Sequence, residues 1–255
     1  MLGHTVETAT PGLIALLAVS LVIAGLVKGV IGVGMPIVAF PMLSMLVDVQ
    51  TAVMLLSMPL VLSNIPQALE GGLVGQTLWS LAPVLAGMIP GLWIGVAVLL
   101  NVDPAAAKIV AGVGVIVVAA LNLLAPRLQI KRRMIGPVGL GAGFCGGLLG
   151  GIAAASGPLV FMFLLAKGLS GKAFTKEASM FLVVSSLLLA SVLAASRTFD
   201  WHDALISALS TAPVVAGMLV GQKLRDAVPA DAFKKLVVLV VLMSGAQLVW
   251  EGMFG

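Results

Sequence analysis

Uncharged apolar stretches about as long as a membrane is thick follow one another along nearly the whole chain, and this repetition decides what it can fold into. Charges and turn residues cut the sequence into apolar pieces near 12–47, 51–69, 77–100, 106–125, 134–166, 178–196, 204–222 and 235–250. A helix needs roughly 20 apolar residues to cross about 30 Å of hydrocarbon, and six of these pieces have the length of single spans. Of the 255 residues, 60% are hydrophobic and only 9% charged, against about 25% charged in a soluble domain. The short segments of alternating polarity that a barrel requires are absent. The expected fold is an all-α polytopic membrane protein, a single membrane domain over 1–255, with no hydrophilic stretch long enough for a soluble one.

The charges fit that reading. A pI near 9.5 could suggest nucleic acid, but the basic residues stand at segment ends, as they do in cytoplasmic loops; no nucleic-acid partner is expected. The opening "MLGHTVETATPG" has no basic n-region, so no removable signal peptide is expected. The lone Cys145, in an apolar glycine-rich segment, reads as a small packing residue.

The first and fifth pieces are too long for one span. Met134 to Ala166 would run about 50 Å as one helix, yet it is short for two full crossings, so a hairpin with a short leg fits. Both pieces break at similar sequences, "GVIGVGMP" at Gly29–Pro36 and "GLLGGIAAASGP" at Gly147–Pro158. The likeness continues. "APVLAGMIPG" from Ala82 returns as "APVVAGMLVG" from Ala212, and Gly25, Gly29 and Gly32 match Gly143, Gly147 and Gly150. The chain is a duplicated unit, with a first repeat over 11–125, a basic linker at 126–133 and a second repeat over 134–251.

Basic residues choose between two topologies, because Lys and Arg prefer the cytoplasmic side. If each overlong piece crosses once, the halves are parallel, and Lys167, Lys172, Lys176, Lys223, Arg225, Lys234 and Lys235 fall outside. If each goes in and comes back, each half is a broken, short-legged hairpin plus three transmembrane helices. All seven then fall inside, with Arg127, Lys131, Arg132 and Arg133 of the linker. The second layout is favoured: two inverted-topology repeats with both termini outside, as in many secondary transporters.

Pro36 and Pro158 each follow a glycine-rich break and suit the first turn of a helix. A helix starting inside the protein offers free N–H groups and a positive dipole end to an anion. Irregular backbone at membrane depth is tolerated only where it is buried in protein or lines a cavity. The competing reading of the glycines is tight helix packing. Lys28 has two readings as well, contact with an anionic substrate or snorkelling to the cytoplasmic surface, about 25 Å along the first leg. Its repeat counterpart is the uncharged Gly146. Ser156 could donate to a ligand or cap the following helix. Asn64 and Gln67, beside Pro66, either line a path or bond across helices, and Glu177 either carries a coupling proton or pairs with Lys176.

The elements "GLVKGVIGVGMP" and "GFCGGLLGGIAAASGP", with "TKEAS" after the second, resemble the sulfite exporter TauE/SafE family of membrane permeases over nearly the whole chain. The resemblance implies a transporter of sulfur-containing anions such as sulfite or the organosulfonate sulfoacetate, in the bacterial inner membrane; with two His, one Cys and no Tyr in the chain, neither a metal nor a cofactor is expected. It points to Lys28, Gly32, Gly34 and Pro36 in the first hairpin and Gly150, Gly151, Ser156, Gly157 and Pro158 in the second as substrate contacts. A passive anion channel is the closer rival. An intramembrane serine protease is the more distant one: "AASG" at Ala154–Gly157 faintly matches its GxSG, but the only later histidine is His202, in a predicted outer loop.

Overall fold

A computed structural model of the chain describes residues 9–32, 34–124, 129–224 and 230–254. Among these the secondary structure is helical throughout: α1 (Pro11–Ile31), α2 (Met35–Ser44), α3 (Val49–Leu69), α4 (Val74–Asn101), α5 (Pro104–Leu124), a 3-10 turn (Arg132–Met134), α6 (Ile135–Ala153), α7 (Gly157–Ala166), α8 (Gly171–Ala195), α9 (Trp201–Leu209), α10 (Thr211–Leu224) and α11 (Ala230–Phe254). Six stretches are long and apolar enough to cross a membrane: α1, α3, α4, α6 with its leading turn, α8, and α9 with α10. Large apolar side chains cover the outside, among them Trp79, Trp93, Trp201 and Trp250, as suits a surface solvated by lipid and its interfaces. Cys145 is on this exposed surface too, so it is not the internal packing residue expected. Arg127 and Arg225 lie outside the described residues, as do the side chains of Lys234 and Lys235.

Local chemistry starts the helices where the sequence turns polar. Thr10 accepts from the Leu13 N–H, Asp48 from Thr51 and Asp103 from Ala106, while Asp200 and Asp203 form a reciprocal capping box. Both overlong pieces break as expected, at 32–34 and 154–156. In each the first helix ends on a left-handed residue, Gly32 at φ 93° and Ala154 at φ 51°. The short legs α2 and α7 have ten residues each, about 15 Å, or half a hydrocarbon thickness.

The fifth piece doubles back. The Ile130 N–H, just before α6, donates to the carbonyl of Ala166 at the end of α7 (3.0 Å), so one straight crossing of this segment is excluded. The same end of the bundle collects the turn after α3, where Lys176 donates to the Gly72 carbonyl and Lys172 pairs with Glu70. It also receives the end of α1, since Gln67 in the last turn of α3 reaches the Gly32 carbonyl. α1 therefore runs towards this end and α6 away from it.

The piece at 204–222 lies in one span, as expected, but its helix is interrupted at Ser210, between α9 and α10. Pro213 has no N–H for the carbonyl of residue 209, and the Ser210 hydroxyl turns inward to the carbonyls of Ser207 (2.7 Å) and Leu55 (3.1 Å). Leu55 has a carbonyl to offer because Pro59, four residues on in α3, cannot take it up. Ser207 donates there as well (3.0 Å).

Two glycine-lined crossings hold the bundle. α4 lies against α6 and α1 against α10, each pair running in parallel. A Cβ added at Gly87, Gly91 or Gly143 would stand 2.0, 2.1 or 1.9 Å from a backbone oxygen of the facing helix. Gly25, Gly217 and Gly221 meet the α1–α10 crossing in the same way, at 2.1, 2.0 and 2.2 Å. Without a hydrophobic effect between helices in lipid, such close van der Waals approach is what associates them. The packing reading is thus correct for Gly25, Gly29, Gly143 and Gly147. We predict that Gly143→Ala or Gly217→Ala lowers stability by about 1–3 kcal/mol through overpacking. Gly141→Ala, inside α6 at a position with open space around it among the described residues, is the control and should not lower the thermal midpoint in detergent, since alanine is the better helix former.

Candidate functional site

The two breaks share a plan but not a packing. In both, proline is the second residue of the short helix, and neither helix start receives a side-chain cap. At the first, Gly34 is half-buried at φ +99°, and a Cβ built there would have nothing within 4 Å among the described residues. This break opens onto free space. The second is closed by its own chain: added Cβ atoms at Gly146 and Gly150 would meet Ser156 at 2.9 and 2.8 Å, and one at Gly157 the Phe161 ring at 2.7 Å. Gly151 packs against α4 at Leu92 and Val96 instead. Pro36 and Pro158 are buried, as are Gly32 and Gly150.

Lys28, in the last turn of α1, is only 2% exposed. Its ammonium donates to the Ser63 carbonyl (3.0 Å), the Ser63 hydroxyl (3.0 Å) and Asn64 Oδ1 (2.7 Å), so it ends inside the protein and does not snorkel. Asn64 is held in that orientation because its amide donates back to the Leu60 carbonyl (2.7 Å). All three oxygens are neutral, and no acidic side chain reaches Lys28 among the described residues. The Ser63 hydroxyl also touches Met35 Sδ at 3.9 Å, which places the charge beside the first residue of α2.

From there a polar line crosses the centre. Gln67 donates to the Gly32 carbonyl (3.5 Å) and accepts from Ser179 of α8 (3.1 Å); further along α8, Ser185 donates to Ser156 at the second break (2.8 Å). Ser156 occupies the N-cap position of α7, but its hydroxyl makes no cap bond. The sequence reading missed Ser63, Ser185 and Met35. A signal was available for the serines, since Ser63 and Ser185 each stand 27 residues beyond the break proline of their half. Asn64 and Gln67 thus join the first break, and Ser156 the second.

A sequence model described as sulfite exporter TauE/SafE matches residues 16–248, which include both breaks and the central helices. The chain belongs to the TauE/SafE family. No curated protein and no solved structure matches it. TauE/SafE proteins are membrane transporters of sulfite and related sulfur anions, not enzymes. In this TauE/SafE chain the protease-like Ser156 is bonded to Ser185, while His202 sits exposed in the first turn of α9. The described residues hold no group of three or more His, Cys, Asp or Glu that could bind a metal.

Glu177 stands apart from this line. Its expected pairing with Lys176 is not formed, because Lys176 is taken by the Gly72 carbonyl. Glu177 instead pairs with Lys167 (3.3 Å) and accepts from Ser80 (2.9 Å), joining α8, the end of α7 and α4. Gly34→Ala tests whether the open break depends on its backbone. With no clash to relieve, the cost is the left-handed conformation alone, about 1–2 kcal/mol; a thermal shift equal to that of Gly141→Ala would mean that this φ is not required.

Proposed function

We propose that the protein is a secondary transporter of small sulfur-containing anions, sulfite or an organosulfonate such as sulfoacetate, with the anion held at the breaks that start α2 and α7. The observation that carries this reading is Lys28: a buried basic nitrogen, without an acidic partner among the described residues, beside an uncapped helix start that faces open space. A helix N-terminus and a nearby cation both favour an anion. Gly32, Gly34 and Pro36, at the open break, give the first half of the cradle; Gly150, Ser156, Gly157 and Pro158 give the second, which in this structure the Ser156 and Phe161 side chains fill. The tight contact of Gly151 with α4 favours a structural role for it.

The two halves, 11–125 and 134–251, are in this reading inverted repeats in a bacterial inner membrane with both termini outside. Support comes from the matched motifs, from the opposite directions of α1 and α6, and from the basic residues Lys167, Lys172 and Lys176 gathered at the end where the linker lies. Cysteine labelling from the two faces tests it. Labels at Asp103 should report outside and those at Arg132 and Lys172 inside, whereas an outside Lys172 would restore parallel halves.

Binding tests the site. In Lys28→Met much of the side-chain volume stays and the charge goes, so equilibrium binding of sulfite or sulfoacetate should weaken by about 1.5–3 kcal/mol, the attraction between unit charges roughly 6–11 Å apart at an effective dielectric of about 20. That is roughly 10- to 150-fold. Uptake against a concentration gradient in liposomes separates a carrier from a channel. Unchanged affinity in folded Lys28→Met protein would remove the lysine from the site.

A further inference from the structure

We propose that Lys28 is the proton carrier of this transporter: it is a neutral amine in the empty site and takes up one proton with each monovalent anion bound, so that anion and proton travel together. The inference rests on the anion site proposed above. Its own support is the set of groups around the nitrogen.

Three oxygens surround Nζ, and two can only accept, the Ser63 carbonyl and Asn64 Oδ1, whose amide nitrogen is already committed to Leu60. The third, the Ser63 hydroxyl, can accept or donate. With Lys28 as an ammonium, three N–H groups meet three acceptors and the hydroxyl proton turns to Met35 Sδ. With Lys28 as an amine, two N–H groups stay on the carbonyl and the amide oxygen, and the Ser63 hydroxyl swings to donate to the nitrogen lone pair. The cage satisfies both protonation states without moving a heavy atom. A cage meant to hold a permanent cation would need a carboxylate, since a buried charge is ordinarily paired.

The same hydroxyl links the proton to the anion. When it points at Met35 it leans on the first residue of α2, the helix start that faces the open space; when it points at Lys28 that contact is given up. The balance of the step is simple. The amine, a proton and a monovalent anion become an ammonium and anion pair with no net charge added to the membrane interior, and release reverses it.

No other titratable group facing Lys28 takes this part among the described residues. α2 and α3 carry no ionisable side chain. On α10 the nearest is the exposed Lys223, and on α8, which meets Gln67 through Ser179, Glu177 is engaged with Lys167 and Ser80. On α11, Glu251 pairs with Lys108 (3.0 Å), while the side chains of Asp231, Lys234 and Lys235 lie outside the described residues.

Calorimetry on the purified full chain in detergent, in two buffers of different ionisation enthalpy, counts protons taken up per anion bound. Isethionate and sulfite are the probes; the first is fully ionised throughout, so any proton it brings belongs to the protein. Wild type at mildly alkaline pH should take up about one proton per isethionate, and its affinity should fall about tenfold for each further pH unit. Lys28→Met and Lys28→Arg, checked for folding by thermal unfolding, should bind with no proton uptake and little pH dependence. Ser63→Ala, which keeps the lysine but loses the reversible hydroxyl, should shift the pH at which affinity declines. Binding by wild type with no proton uptake overturns the proposal and leaves the anion site standing, as does undiminished uptake in folded Lys28→Met. Should that variant not be recovered folded, the wild-type proton number alone decides. Absence of binding for both probes overturns the anion site and the proton carrier together.

Discussion

Backbone meeting backbone at two glycine crossings is the constraint from which the rest of this structure follows. Where α4 meets α6 and α1 meets α10, facing helices come so close that a single added methyl group would strike a carbonyl oxygen. In lipid such contact replaces the hydrophobic effect as the source of helix association. Each crossing also ends next to a break: Gly29 and Gly221 lie just before the turn at 32–34, and Gly147, Gly95 and Gly151 just before that at 154–156. The crossings therefore set where the chain can leave α-helical geometry inside the protein.

Leaving it has consequences that other residues meet. A broken helix exposes N–H and carbonyl groups that hydrocarbon cannot satisfy, and so do the prolines within α3. Serines supply the missing bonds. Ser207 and Ser210 take the carbonyl that Pro59 leaves open and Gln67 takes the Gly32 carbonyl, while Ser185 bonds the Ser156 hydroxyl at the second break. The central helices α3 and α8 thus act as polar braces for the two breaks. Lys28 fits this frame and adds to it, because it satisfies the Ser63 carbonyl while bringing a basic nitrogen into a neutral brace. The two breaks differ at this point: one has a lysine nitrogen beside open space, the other a hydroxyl inside a closed turn.

Much of this was legible in the sequence. The eight apolar pieces, the two breaks with their short legs and the paired glycine motifs follow from local rules, since a run of apolar residues, a glycine at a left-handed turn and a proline in a first helical turn act over a few neighbours. Other features were not legible. A glycine reads alike whether it faces a ligand or a carbonyl, and only packing shows that Gly143 does the latter while Gly34 faces open space. Glu177 stands beside Lys176 in sequence yet pairs with Lys167, because helical geometry sends adjacent side chains in different directions.

By itself the sequence determined that the chain spans a membrane many times, that its glycine motifs recur, and that it is interrupted where Gly29–Pro36 and Gly147–Pro158 stand. These are properties of composition, length and spacing, and the low dielectric of lipid enforces them wherever the helices end up. Only the tertiary structure decided what the interruptions do. Whether Lys28 reached the surface or stayed inside depended on α3 being near enough to offer Ser63 and Asn64, residues 35 and 36 positions away. Its long flexible side chain could have gone either way, and the choice was made by three oxygens that packing, not proximity along the chain, brought to its nitrogen.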